Sequence, residues 1–130
     1  MKGVALSIRQ PWASLIILGL KSVEIRSWPT AHRGPLFIHA AKTLDERAQG
    51  RFRLPDVPTG CLLGVVDLIG VEPFTPATWR KLAPEHLDAG SFSPGLYAWT
   101  LTNPRPLRQP IPWRGDRSLF EIEVNENLLC

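Results

Sequence analysis

Arg9, Gln10, Lys21, Glu24 and Arg26 draw the eye first, because they crowd both ends of one short apolar segment. The stretch reads Ser7-Ile8-Arg9-Gln10-Pro11-Trp12, runs apolar to Leu18, and resumes as Gly19-Leu20-Lys21-Ser22-Val23-Glu24-Ile25-Arg26. A carboxylate held between a lysine and an arginine is a fixed hydrogen-bond acceptor. An arginine fork and a glutamine amide read planar edges that carry both donors and acceptors. Such groups suit a nucleobase better than a metal ion. Trp12 and Trp28 offer faces on which a base can stack, while Arg9, Arg26 and Lys42 offer cations to phosphates. His39 closes an apolar run just before Lys42 and joins the candidate set. The plainer reading of Lys-x-x-Glu-x-Arg is a solvated ion pair on a strand edge, which contributes little.

Other chemistries find less support. His32, His39 and His86 lack ligand spacing, and no second carboxylate pairs with Glu24, so neither a metal nor another cofactor is expected. Ser7, His39 and Asp67 are the residue types of a hydrolytic triad, but no nucleophile-elbow motif carries them. No glycine-rich phosphate loop occurs. Cys61 and Cys130 form no CxxC pair, which fits two free thiols in a reducing cytoplasm. The apolar residues 15–18 are preceded by Arg9, Gln10 and Pro11, and no run approaches the roughly 20 residues of a membrane span. No membrane partner is therefore expected. The net charge of +3 permits a nucleic-acid partner without demanding one.

The elements that must position these residues are short. Thirteen prolines and ten glycines in 130 residues argue for many turns and for one domain over residues 1–130. Gly3–Ile8 alternates as a strand, Pro11 opens a helix to about Leu18, and Gly19 closes it. Ser22–Trp28 is a second strand, with Glu24, Arg26 and Trp28 on one face. Leu36–Ala40 is a third. A polar helix follows over Leu44–Phe52, with Thr43 as cap and Glu46 at capping-box spacing. Cys61–Val71 is a long apolar strand, and Thr75-Pro76 starts another helix. Leu96–Leu101 reads as a strand, the proline-rich Asn103–Pro112 as an extended edge or connector, and Leu119–Val124 as a half-buried strand. Six or seven strands with two or three short helices predict an α+β chain, built as a small mixed β-barrel with helices over its ends.

The Arg9-Gln10-Pro11-Trp12 element, Gly19-x-Lys21-x-x-Glu24-x-Arg26 and Ile38-His39-Ala40-Ala41 together resemble the ASCH domain (activating signal cointegrator homology). The chain is similar to small stand-alone members of the endothelial-overexpressed lipopolysaccharide-associated factor type, as are Pro110-Ile111-Pro112-Trp113-Arg114-Gly115 and Leu119-Phe120-Glu121-Ile122. The resemblance implies a PUA-like β-barrel with a cleft for RNA or another nucleic acid, and it places Lys21, Glu24 and Arg26 in that cleft. Some ASCH proteins are amidohydrolases that remove an acyl group from N4-acetylcytidine. In those, a threonine follows the lysine by three residues and a further carboxylate serves as acid and base. Here Glu24 stands at the threonine position, and Asp67 is a candidate for the further carboxylate.

Three functions follow as expectations. The first is a module binding RNA or a modified nucleobase through Arg9, Gln10, Trp12, Lys21, Glu24, Arg26, Trp28, His39 and Lys42. The second is an amidohydrolase acting on an acylated nucleoside, with Lys21 and Glu24 catalytic. The third is an interaction domain whose polar cluster only pins the helix to the sheet. The glutamate at the threonine position favours binding over catalysis.

Overall fold

Alternating residues and, in β3 and β4, unbroken apolar runs build six strands: β1 (Lys2–Gln10), β2 (Val23–Arg26), β3 (Gly34–Leu44), β4 (Cys61–Pro73), β5 (Tyr97–Pro112) and β6 (Phe120–Glu123). Four short helices separate them: α1 (Trp12–Ile17), α2 (Glu46–Phe52), α3 (Pro76–Lys81) and α4 (Ala83–His86). This is a computed structural model, and it describes residues 1–125 and 127. Cys130 lies outside the described residues. Among the described residues no helix is long and apolar enough to cross a membrane.

The strands form one mixed sheet in the order β2-β5-β4-β3-β1-β6. β1 and β3 are parallel, and every other neighbouring pair is antiparallel. Its two faces follow the two-residue period. Leu6, Ile8, Leu36 and Ile38 pack with Ala13 and Ile16 of α1 and with Trp99 on one side. Ala5, Phe37, Leu62, Val65 and Ile122 fill the other. A third cluster, Val23, Phe74, Trp79 and Ala98, seats α3 against β2 and β5.

The expected barrel is corrected: the sheet does not close. β6 covers only Lys2–Ala5 of β1, which leaves Leu6–Gln10 without a neighbour on that side. The sheet curves far enough to bring β2 opposite this free stretch, and Arg26 Nη1 of β2 reaches the Ser7 carbonyl at 3.5 Å. Side chains fill the seam where a backbone ladder would have closed it.

Smaller differences have local causes. Of the two readings of Asn103–Pro112, extended edge or connector, the edge holds: it is the second half of β5. Its prolines fall where β2 no longer pairs with β5, on an edge that loses nothing by a missing N–H. β3 continues to Leu44, so Asp45 rather than Thr43 caps α2, accepting from the Ala48 N–H at 3.2 Å. Proline at position 84 starts a new turn, which separates α4 from α3.

The end of α1 sets the site. The Gly19 N–H bonds to the Ile16 carbonyl and the Leu20 N–H to the Leu15 carbonyl, the paired bonds of a Schellman motif. Gly19 takes φ 81° there, a left-handed conformation that costs glycine little. A methyl at this position would meet only Pro104 Cγ at 3.7 Å, so its penalty is that of the backbone alone. Gly19→Ala is expected to lower unfolding free energy by about 1 kcal/mol in denaturant titration. An unchanged midpoint would contradict this account of the turn.

Candidate functional site

The turn after α1 delivers Lys21 into the interior, where its residue is 3% exposed. Its ammonium donates to the His86 carbonyl at 2.6 Å, lies 3.7 Å from Glu24 Oε1, and stands 4.8 Å from the centroid of the Trp12 ring. Burial pushes the Lys21 pKa below the ordinary lysine range, and the negative charges of Glu24 and Asp88 oppose that shift without reversing it. The Ser22 N–H donates to the Glu85 carbonyl at 3.1 Å, so two bonds dock α4 on this turn.

β2 carries the next two groups on one face, as its alternation dictates. Glu24 is buried, and its Oε2 accepts from Arg26 Nη1 at 3.2 Å. The carboxylate is thus fixed between two cations. Opposite, the Trp12 indole N–H donates to Asp45 Oδ2 at 2.8 Å, and Arg9 approaches the same oxygen at 3.8 Å. The indole hydrogen bond, with lesser help from the Ala48 N–H and Arg9, holds the Asp45 carboxyl below the usual carboxylate range.

Arg9, Trp12, Lys21, Glu24 and Arg26 line one cleft of about 350 Å³ at the seam between β1 and β2, together with Asp45 and Asp88. The other sequence candidates lie elsewhere. Gln10 is fully buried; its amide donates to Ser14 Oγ at 2.7 Å and the Pro58 carbonyl at 2.8 Å, and its oxygen caps the Ser14 N–H at 2.9 Å. It holds the start of α1 and has no group left for a ligand. Trp28, half-buried, packs edge-on against Trp99 with centroids 4.9 Å apart, under the Arg26 guanidinium and outside the cleft lining. His39 and Lys42 line a separate, larger hollow. Asp67 pairs with Arg105 at 3.2 Å on the β4–β5 ladder, away from Lys21.

Asp45 and Asp88 are the cleft residues that sequence reasoning missed. The helix signal after Asp45 is visible in the sequence, but the capping-box spacing points to Thr43, two residues before the true cap. Asp88 reaches the cleft only because α4 docks on the Lys21 turn, which no spacing announces. Among the described residues no group of three or more His, Cys, Asp or Glu is arranged to hold a metal ion.

Residues 6–111 match the family model of the ASCH domain. The chain is 32% identical over 135 residues to "Activating signal cointegrator 1" of Homo sapiens and equally to that of Mus musculus, covering 93% of this chain in each case. It spans 22% of the length of these relatives. Among solved structures, ASCH from Zymomonas mobilis superposes with a TM-score of 0.70 at 17% identity, covering 92% of this chain and 87% of that one. A variant of that protein gives the same TM-score and identity with 89% of its chain covered. The architecture is α+β with its sheet open, and it shares the fold of that ASCH structure. The chain belongs to the ASCH domain family.

The buried cation makes a sharp prediction. Followed by NMR of lysine side chains, Lys21 titrates below the ordinary lysine range, and Glu24→Gln lowers it further by removing the largest charge that favours the ammonium. Between that lowered pKa and the unfolded value, the unfolded chain binds more protons, so stability rises with pH in this window. An ordinary titration, or an increase in Glu24→Gln, would contradict the geometry.

Proposed function

We propose that this domain binds RNA by taking one base, ordinary or modified, into the cleft lined by Lys21, Glu24 and Arg26. One observation carries the reading: a buried carboxylate, fixed by two cations, faces an open cleft whose volume lies within the range of small-ligand sites. Glu24 accepts from the amino or imino edge of the base. Trp12 forms the aromatic wall, and the more exposed Arg26 and Arg9 meet phosphates. Membership of the ASCH family is consistent with RNA binding. The unit is a single ASCH domain over 1–130, acting in the cytoplasm, where the buried free thiol of Cys61 stays reduced.

Short single-stranded RNAs titrated by fluorescence anisotropy test it. Binding is expected to weaken with salt. Glu24→Ala and Arg26→Ala, checked for folding by circular dichroism, should each lose about tenfold or more, the scale of a hydrogen bond to a charged group. No binding at low salt, or equal affinity in both variants, would overturn the proposal.

A second reading rests on Lys21 alone. Its burial favours the neutral amine, the form in which a lysine serves as a base. With Glu24 beside it, the cleft would hydrolyse the amide of an N4-acylated cytidine-type nucleoside. Turnover of acylated nucleosides that disappears in Lys21→Ala would establish this reading. Absence of turnover across such a panel, or turnover that survives in Lys21→Ala, would refute it.

A further inference from the structure

A second hollow, of about 1530 Å³, lies beside the cleft and shares Ser7 and Ala41 with it as walls. The two are neighbouring depressions that meet at these two residues. The larger one exceeds the roughly 300–1,000 Å³ of small-molecule sites, which suits a segment of a polymer better than a metabolite. Three exposed cations, Lys42, Arg114 and Arg117, line it, and among the described residues none of them belongs to an ion pair. Of the two carboxylates there, Asp116 already accepts from the Arg117 N–H at 2.6 Å. Trp113, half-buried against the Phe37 cluster, supplies an aromatic surface.

The loop that carries Trp113, Arg114 and Arg117 is anchored by hydrogen bonds. The Trp113 carbonyl can only accept, so His39 Nε2, 2.7 Å away, carries the proton in the neutral ring. His39 Nδ1 is then the acceptor, and Ser7 Oγ donates to it at 2.6 Å. The Trp113 N–H donates to the Gly60 carbonyl at 3.1 Å. Gly115 lies directly on the Ser7–His39 pair; a methyl there would stand 2.5 Å from Ser7 Oγ. The pair has the donor order of a nucleophile and its base, but Gly115 covers the hydroxyl. Its work is to fasten the loop, with Arg114 and Arg117 on either side of the fastening point. Such preorganisation reduces the ordering cost of binding.

We infer that this hollow is a second binding site, for the sugar–phosphate backbone and a neighbouring base of single-stranded RNA whose preceding or following base sits in the cleft. The inference rests on the cleft reading and deepens it, because it makes the ligand an oligonucleotide and not a free nucleoside. Phosphates lie against Lys42, Arg114 and Arg117, and the adjoining base stacks on Trp113.

Affinities of oligoribonucleotides from one to six residues decide it, measured at several salt concentrations for the native chain and an Arg114→Glu/Arg117→Glu double variant. Both substitutions are at exposed positions. In the native chain the affinity is expected to rise by about tenfold or more from the mononucleotide to the longer oligomers, the gain of several backbone contacts. In the double variant that gain collapses and the salt slope for the oligomers falls by about 1.4, the value for two phosphate contacts on a single strand. A native chain with no gain, or a variant that keeps both gain and slope, overturns the inference. Failure of the cleft reading shows up separately, as a mononucleotide whose affinity is indifferent to Glu24→Ala.

Discussion

The buried ammonium of Lys21 is the constraint around which this molecule is arranged. Removing such a charge from water costs several kcal/mol, and an opposite charge near 4 Å returns about 4 kcal/mol at the effective dielectric of proteins. The two are comparable, so one carboxylate alone barely balances the cation. The downward pKa shift says that desolvation still wins. Further partners are needed, and they come from different elements: the His86 carbonyl from α4, the Trp12 ring from α1 and Glu24 from β2. Satisfying one charge thereby ties two helices to an edge strand.

That joint lies at the seam where the sheet fails to close. β2 and the second half of β1 stand at opposite sides of the strand order, yet Arg26 spans them to reach Ser7. A barrel would have filled this gap with backbone hydrogen bonds and left nothing to bind. Charged side chains occupy it instead, and they leave a cleft whose walls are Ser7–Arg9 on one side and Glu24–Arg26 on the other. The site is the unclosed part of the barrel. Ser7, on the same free stretch of β1, also borders the larger hollow.

Much of this was legible in the residues. The proline and glycine that bracket α1, the alternation of β2 and the apolar runs of β3 and β4 are local signals, and they place Lys21, Glu24 and Arg26 together. Gln10 shows the limit. Its position beside Arg9 suggests a ligand-reading amide, but strand alternation turns it inward, where α1 and the Pro58 carbonyl engage both its donors and its oxygen. Closure of the sheet was not legible either, because it depends on how far β6 extends along β1. Asp88 enters the cleft through the docking of a four-residue helix, a tertiary event with no periodicity behind it.

The indole N–H signals of the tryptophans test the central claim most directly, through their NMR positions during titration with a short single-stranded RNA. The Trp12 indole bonds to Asp45 in the cleft wall, whereas those of Trp79 and Trp99 bond to the Gly90 and Trp28 carbonyls, neither of which lines the cleft. The Trp12 signal should move as the cleft fills, while those of Trp79 and Trp99 stay in place. RNA that binds without moving the Trp12 signal would show that the seam between β1 and β2 is not where the ligand sits.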